Sequence, residues 1–341
     1  MTFTPDYPFA KLEYGETKEV APGIHWVRMP LPFALNHINL WLLRDGDAWT
    51  VIDTGYNVDR SKDIWETSLS RIADGGTIKR TICSHFHPDH LGLAGWFFER
   101  FNARLWMTYT EWLQAHVAVS ETLTHNFDRW VQFHRDNGAP PEMTTGFRDV
   151  IRSFKEPWYR LPETVRRIQD NEEIEIDGRL WHVITGGGHT HEHAALWCPD
   201  LNLLISGDQV LPRISSNISV WYTEPDGNPL GNYLKSFEKF RHLPEDVLVL
   251  PSHDDPFRGL HERMDDLIAH HQTRLDAAVD KCARPTTATD VIPALFTREI
   301  GVYEFSFAIG ETLAHLNYLV DAGDLARVRH DDGLVRYCQP E

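Results

Sequence analysis

The sequence has few cysteines and no long apolar run, and these absences argue against a disulfide-stabilised protein and against a membrane-spanning one. Its cysteines number four and lie far apart, at Cys83, Cys198, Cys282 and Cys338. They form no CxxC pair, which argues against a disulfide framework. No segment reaches the roughly 20 apolar residues of a transmembrane helix, and the N-terminal segment lacks the basic and apolar regions of a signal peptide. We therefore expect a soluble, cytoplasmic protein with no membrane partner.

Basic residues are also scarce. Lys and Arg total 33 against 50 Asp and Glu, which gives a formal net charge of −17. Such a surface repels phosphate backbones and anionic lipids, so the composition argues against nucleic acid as a partner. The apolar fraction of 42% is that of an ordinary globular protein, and 341 residues suffice for one large domain with a smaller one.

The N-terminal third combines strand and helix patterns. Apolar, β-branched and aromatic runs predict strands at GIHWVRMP, HINLWLLRD, AWTVID and IKRTICSH. Helical periodicity predicts helices at NVDRSKDIWETSLSRI and DHLGLAGWFFERF. The mixture of a strand meander with strand–helix units indicates an α/β protein.

The residue pattern changes between about residues 107 and 161, where runs typical of strands stop. Amphipathic helices crowded with aromatic residues are predicted at TYTEWLQAHVAVSETL, HNFDRWVQFHRDNG and FRDVIRSFKEPWYRL. We interpret this segment as a helical insertion. Its aromatic rings either fill the core, as most buried aromatics do, or form the wall of a substrate pocket.

Strands resume at EIEIDGRLWHVIT, HAALWCPDLNLLISGD and DVLVLPSH, and a long helix follows from residue 259. The last segment predicts further helices and then two short strands around the turn HDDG, which is a winged-helix-like order. We therefore predict a large domain over residues 1–275 and a small domain over residues 276–341. Because the small domain carries six basic and eleven acidic residues, we expect it to pack or to form a homodimer rather than to bind nucleic acid.

The stretch SHFHPDH, residues 84–90, contains four candidate metal ligands directly after a predicted strand. On an extended segment His85 and His87 project to the same side and can bind one ion. Asp89 and His90, at the start of the next helix, can turn toward a second ion. Imidazole and carboxylate groups are typical ligands of zinc, with iron or manganese as alternatives.

Further candidate ligands follow three later strands. His189 lies behind three glycines in GGGHTHEH, Asp208 ends the strand LLISGD, and His253 ends VLVLPSH. All of them come at the carboxyl end of a predicted strand, as SHFHPDH does. Candidate ligands at the ends of four predicted strands indicate one metal centre at the sheet edge where those strands end.

In the order of these motifs the sequence resembles the metallo-β-lactamase superfamily, over about residues 20–265. The resemblance implies a four-layer αββα sandwich with a two-metal site at one edge. It implies that His85, His87 and His189 bind one ion, that Asp89, His90 and His253 bind the other, and that Asp208 bridges both. His189 is preferred to His191 because glycines precede it and Thr190 follows, as in the family's GHT motif. Asp53 and His193 are then expected to orient the ligands.

Two divalent ions about 3.5–4 Å apart can share a hydroxide that is nucleophilic near neutral pH. They also polarise a carbonyl or phosphoryl oxygen and stabilise the oxyanion. Asp89 and Asp208 are the expected catalytic carboxylates, and the sequence contains no GxSxG motif that would indicate a serine nucleophile. We therefore predict a metal-dependent hydrolase.

Asp208 argues against a true β-lactamase, since those enzymes lack the bridging aspartate. The C-terminal segment resembles the glyoxalase II-like and β-lactamase-like protein 2 branch, which predicts a small thioester or ester substrate of the acyl-CoA or glutathione-thioester type. A metal-dependent ribonuclease or phosphodiesterase, a mono-iron dioxygenase on the same fold, and a non-hydrolytic binding protein are the alternatives. Arg213, Asn217 and Tyr222, on the loop after Asp208, are the candidate substrate-binding residues.

Overall fold

Seven strands form the first sheet in the order β1 to β7, so that neighbours in sequence are neighbours in space. The computed structural model of the chain describes residues 3–33, 35–72, 76–120, 127–147 and 158–340. The first four strands are antiparallel, and β4, β5, β6 and β7 are parallel to one another. Their bounds are β1 Thr17–Ala21, β2 Ile24–Pro30, β3 His37–Asp45, β4 Ala48–Ile52, β5 Ile78–Ile82, β6 Arg104–Met107 and β7 Arg166–Arg167.

A second sheet has the order β12-β11-β10-β9-β8. Its strands are β8 Glu173–Ile176, β9 Arg179–Gly186, β10 His193–Cys198, β11 Leu203–Gly207 and β12 Leu248–Pro251. Strands β11 and β12 are parallel, and β10 is antiparallel to both β9 and β11. The carboxyl ends of β9, β11 and β12 therefore lie at one edge.

The helices cover the outer faces of the two sheets. Among the described residues they are α1 Asp59–Ile72, α2 Pro88–Leu91, α3 Ala94–Phe101, α4 Tyr109–Val119, α5 Phe127–Asp136, α6 Pro229–Ser236, α7 Leu260–Lys281, α8 Ala288–Leu295 and α9 Val302–Ala322. The single helix predicted for DHLGLAGWFFERF is divided into α2 and α3. The division falls at Leu93, whose backbone N–H donates to the Thr54 hydroxyl at 3.2 Å instead of continuing the helix.

Alternate residues of the central strands enter two different cores. In β3, Trp41 and Leu43 point between the sheets, whereas Leu40 and Leu42 point outward beneath α1 and α3. A strand that is buried on both faces has a nearly continuous apolar sequence, which is what HINLWLLRD shows. The outer face of the second sheet, which includes Leu204, packs against α6, α7 and α9. The layers are helix, sheet, sheet and helix, which confirms the predicted αββα fold class.

The C-terminal segment follows the predicted order of helices and then two strands, β13 Ala326–Arg329 and β14 Val335–Cys338. Its helix α9 shares one apolar cluster with α6, α7 and the second sheet. This contact favours the packing role, while the domain boundary and the homodimer stay predictions. Two of the three predicted insertion helices are present as α4 and α5, and FRDVIRSFKEPWYRL falls largely outside the described residues. Trp130 of α5 belongs to the apolar cluster, so its ring is a core residue.

His134 in α5 predicts a pH-dependent stability. Burial lowers its pKa from 6.5 to about 4, although its Nδ1 bonds to the Trp130 carbonyl oxygen at 2.8 Å. Because the unfolded chain binds a proton below pH 6.5 and the folded chain does not until about pH 4, the free energy of unfolding should fall as the pH decreases through this window. The contribution is about 1.4 kcal/mol per pH unit.

Urea unfolding between pH 7 and 4 measures this slope. We expect His134→Phe to flatten the slope by about that amount, and His330→Phe, at an exposed position, to leave it unchanged. Equal slopes for the wild type and His134→Phe would contradict the assignment of a buried neutral imidazole.

Candidate metal centre

The candidate ligands meet where the strands of both sheets end. Strand β5 ends two residues before Ser84, at the start of the segment that carries His85 and His87. Three further ligands follow β9, β11 and β12, at His189, Asp208 and His253. Because β9, β11 and β12 run in the same direction, their carboxyl ends place ligands from distant parts of the sequence at one edge.

Three imidazoles form a first group. The His85 Nε2 atom lies 2.9 Å from His87 Nδ1 and 3.3 Å from His189 Nε2. Their ligand atoms all lie within 4.8 Å of one another, a spacing that suits one ion bound by three nitrogens. This is the group that the family resemblance implies for the first ion, and His85 also lies within 4.8 Å of His90 and Asp208, so the groups adjoin at His85.

Asp89, His90 and His253 form a second group with the same spacing of ligand atoms, within 4.8 Å. The Asp89 Oδ2 atom lies 3.6 Å from His90 Nε2 and 3.5 Å from His253 Nε2. His90 and His253 are buried, whereas the Asp89 carboxylate is partly exposed. The second group therefore opens to solvent on the side of Asp89.

Asp208 lies between the two groups. Its Oδ2 is 3.4 Å from His189 Nε2, in the first group. Its Oδ1 is 3.6 Å from His90 Nε2 and 3.4 Å from His253 Nε2, in the second. One carboxylate thus presents a separate oxygen to each group, which is one arrangement of a bridging ligand.

Asp53 fixes the orientation of His90. Its Oδ2 accepts the His90 Nδ1–H at 2.8 Å, and the same carboxylate accepts the backbone N–H of Ser84 at 2.7 Å and the Ser84 hydroxyl at 2.9 Å. Because its Nδ1 is bonded to Asp53, His90 turns Nε2 toward the centre, and Nε2 is the atom that would bind a metal once it has lost its proton. The backbone of Asp53 has a positive φ of 57°, an uncommon conformation held by its place between β4 and α1.

Backbone carbonyl groups orient two more ligands in the same way. His189 donates its Nδ1–H to the Asn217 carbonyl at 2.9 Å, and His253 donates its Nδ1–H to the His37 carbonyl at 2.8 Å. Both rings therefore direct Nε2 toward Asp208. Such hydrogen bonds hold a metal ligand in the tautomer that binds the ion.

The carboxylates favour positive charge in the second group. Burial opposes a charge on His90, but Asp89, Asp208 and Asp53 together raise its pKa well above the ordinary value. Burial likewise opposes the ionisation of Asp208, and His253 and His90 hold its pKa well below the ordinary range. The first group is different, because burial and neighbouring imidazoles lower the pKa of His85 and keep it neutral.

His193 lies beneath the centre. Its Nε2 accepts the backbone N–H of Asp208 at 3.0 Å, so it supports the bridging carboxylate. A side chain at Gly207 would collide with this ring, since a Cβ there would lie 2.4 Å from His193 Nε2. Gly207 also has a positive φ of 55°, so both the conformation and the close contact require glycine.

These residues fit divalent ions. Among the described residues, His90 Nε2 and Asp208 Oδ1 are buried and have no hydrogen-bond partner, although both point into the centre. Leaving such atoms unpaired in a folded protein is costly, and a shared cation would satisfy both. A set of imidazoles and carboxylates is also the kind that zinc, iron and manganese accept.

The three predicted substrate-binding residues, Arg213, Asn217 and Tyr222, are not among the candidate ligands. Asn217 contributes its carbonyl to His189, and its side chain accepts a hydrogen bond from the Ser219 hydroxyl at 2.7 Å. Arg213 is exposed and lines a cavity of about 420 Å³ with Tyr7 and Arg263. Tyr222 is half-buried and packs against the apolar cluster of the second sheet and the C-terminal helices. A substrate role for these three residues stays a prediction.

Two supporting residues were missed by sequence reasoning. His37 begins strand β3 and contributes only its carbonyl and ring to the segment around His253. Glu111 lies in an amphipathic helix, where a carboxylate usually faces solvent. Neither position has a local motif that distinguishes it, so only the folded chain identifies them.

Solved structures of similar proteins share this fold. A β-lactamase domain protein from Burkholderia ambifaria is 40% identical, with 98% of both chains covered and a TM-score of 0.89. The metallo-β-lactamase family protein TTHA1429 from Thermus thermophilus is 29% identical, with 94% of this chain and 100% of that chain covered and a TM-score of 0.79.

Two further relatives match at lower identity. The acyl-coenzyme A thioesterase MBLAC2 of Bos taurus is 25% identical over 258 residues, which are 72% of this chain and 83% of the relative. The β-lactamase-like protein 2 homolog of Caenorhabditis elegans is 26% identical over 253 residues, which are 72% of this chain and 65% of the relative.

Family matches cover most of the chain. A metallo-β-lactamase-like C-terminal domain matches residues 275–340. No described helix combines the length and apolar character that crossing a membrane requires. The metallo-β-lactamase superfamily, whose members are usually hydrolases, matches residues 35–253, which include every candidate ligand, and the chain belongs to this superfamily.

Proposed function

We propose that the protein is a dinuclear metal-dependent hydrolase of a small acyl thioester, of the acyl-CoA or glutathione-thioester type. The position of Asp208 carries the proposal, because its two oxygens face two separate groups of ligands. The first ion would be bound by His85, His87 and His189, and the second by Asp89, His90 and His253. When bound, divalent ions act as Lewis acids on a carbonyl oxygen and lower the pKa of water.

The protein residues then have defined tasks. Asp53 keeps the proton of His90 on Nδ1, and the Asn217 carbonyl does the same for His189. Asp89, which is partly exposed, is placed to hydrogen-bond the attacking water and to accept its proton. A C–O bond forms as the C–S bond breaks, and the proton goes to the departing thiolate, so that water and thioester become acid and thiol.

The choice of substrate is supported by similarity and by charge. The relative named an acyl-coenzyme A thioesterase aligns over 72% of this chain. The net charge of −17 disfavours the long phosphate backbone of RNA, which carries many more negative charges than a small thioester, and so argues against the nuclease alternative. Zinc is the proposed metal, because the candidate ligands other than Asp89 and Asp208 are all imidazoles, which zinc accepts readily.

A screen of the purified protein tests the proposal. Elemental analysis should find two zinc ions per chain, and hydrolysis of acyl-CoA or glutathione thioesters should depend on them. Lactone and phosphodiester substrates and structured RNA serve as comparisons in the same panel. Faster turnover of a phosphodiester or RNA would contradict the thioesterase assignment. One iron per chain with oxygen consumption would contradict a dinuclear hydrolase.

A further inference from the structure

Glu111 is a buried carboxylate in the helical insertion, away from the predicted motifs. It lies on α4 with none of its surface exposed, on the same face as Ala115 and Ala118. The pKa of Glu111 is raised by burial, which the backbone N–H groups of Glu192 and Phe86 oppose. A buried carboxylate is costly unless its oxygens accept hydrogen bonds, so the partners of Glu111 indicate its role.

The two carboxylate oxygens reach two different segments of the metal centre. Glu111 Oε2 accepts the backbone N–H of Phe86 at 3.1 Å, and Phe86 lies between His85 and His87. Glu111 Oε1 accepts the backbone N–H of Glu192 at 2.7 Å, three residues after His189.

A second contact from the same helix supports the Glu192 segment. The hydroxyl of Thr108, at the N-terminus of α4, donates to the Glu192 carbonyl at 2.8 Å. Both backbone groups of Glu192 are therefore bound by the insertion. The segment that carries His189 is fixed to α4, and α4 is fixed to the segment that carries His85 and His87.

We infer that Glu111 is a positioning residue that joins the two segments carrying the first ligand group. Its carboxylate fixes the distance between the His85–His87 segment and the His189 segment, in addition to the backbone hydrogen bond from the Ala194 N–H to the Ser84 carbonyl at 2.8 Å. Both segments are loops beyond the ends of β5 and β9, in different sheets. The helical insertion thus completes the first metal site without contributing a ligand.

Only a carboxylate can accept both N–H groups in this geometry. A glutamine has the same length, but its amide presents one acceptor oxygen and one donor nitrogen. In Glu111→Gln one of the two buried N–H groups would therefore face a donor and lose its hydrogen bond. We expect zinc affinity for one of the two equivalents to fall by about 10- to 100-fold, as for other residues that hold metal ligands.

Glu311→Gln is the matched control. Glu311 is a buried glutamate on α9 whose pKa is also raised by burial, and it pairs with Arg274 far from the ligand segments in sequence. Both substitutions replace a buried carboxylate by an amide and so remove one of its contacts. Only Glu111→Gln should change zinc binding.

Competition of the metal-free proteins with a zinc chelator measures this affinity, and thermal unfolding of the same samples measures stability. The inference rests on the proposed two-metal site, but the readout uses no substrate. A wild-type stoichiometry of one zinc would contradict the proposed function. Wild-type zinc affinities in a folded Glu111→Gln protein would contradict the role of Glu111.

Glu111→Asp provides a second variant if Glu111→Gln fails to fold. Aspartate keeps the charge but is one methylene shorter, so it cannot accept both N–H groups at their present distances. Reduced affinity for one zinc equivalent would support the inference. Unchanged affinity for both equivalents would overturn it.

Discussion

Replacing Asp208 by asparagine should lower thioester hydrolysis by about a thousandfold or more, because metal ions supply several kcal/mol of transition-state stabilisation and each 1.36 kcal/mol is tenfold in rate. Asparagine keeps the size of the side chain but replaces one oxygen by a donor nitrogen. The oxygens of Asp208 face His189 on one side and His90 and His253 on the other. One of the two ligand groups must therefore lose its shared carboxylate oxygen.

Zinc stoichiometry distinguishes this mechanism from a general loss of structure. We expect Asp208→Asn to retain at most one tightly bound zinc and to show the circular dichroism of the wild type. Asp200→Asn, at an exposed position outside the centre, should keep both zinc ions and full activity. An Asp208→Asn protein that bound two zinc ions and hydrolysed thioesters at a near-normal rate would exclude the bridging role.

Replacing Asp89 by alanine should reduce turnover by about 10²- to 10⁴-fold, the range expected when a positioned acid–base group is lost. Asp89 faces His90 and His253, and its carboxylate is the partly exposed one of the second group. The substitution also removes a ligand from that group, so its zinc should bind less tightly. Because the side chain is not deeply buried, we expect the fold to be retained.

Steady-state kinetics and thermal unfolding of the metal-free protein distinguish a loss of turnover from a loss of folded structure. Asp89→Ala should lower kcat while the unfolding midpoint of the metal-free chain stays near that of the wild type. Asp63→Ala, at an exposed position on α1, is the control for loss of a surface carboxylate. Near-normal turnover by Asp89→Ala would mean that Asp89 has no catalytic role.

The central strands of the first sheet were predictable because they are buried on both faces. GIHWVRMP, HINLWLLRD and AWTVID are nearly continuous apolar runs, and they correspond to β2, β3 and β4. Short strands such as β6 and β7 lack such runs and were not predicted. The helix after SHFHPDH was predicted as one unit, because the hydroxyl of Thr54 that interrupts it at Leu93 is distant in sequence.

The sequence by itself determined the types of candidate ligand and the order of the motifs, because imidazoles and carboxylates are typical metal ligands and their local spacing is visible in the sequence. It also determined that SHFHPDH has two halves, with His85 and His87 before the helix and Asp89 and His90 at its start. These features depend on residues within a few positions of one another.

Only the tertiary structure decided how the ligands are held. Asp53 meets His90, the His37 carbonyl meets His253 across 216 residues, and Glu111 joins the segments of Phe86 and Glu192. Each of these contacts joins elements that are distant in sequence, and most of them use backbone groups that are common to all residues. A backbone carbonyl or N–H has no signature in a sequence, so its role follows only from the packing that brings it to its partner.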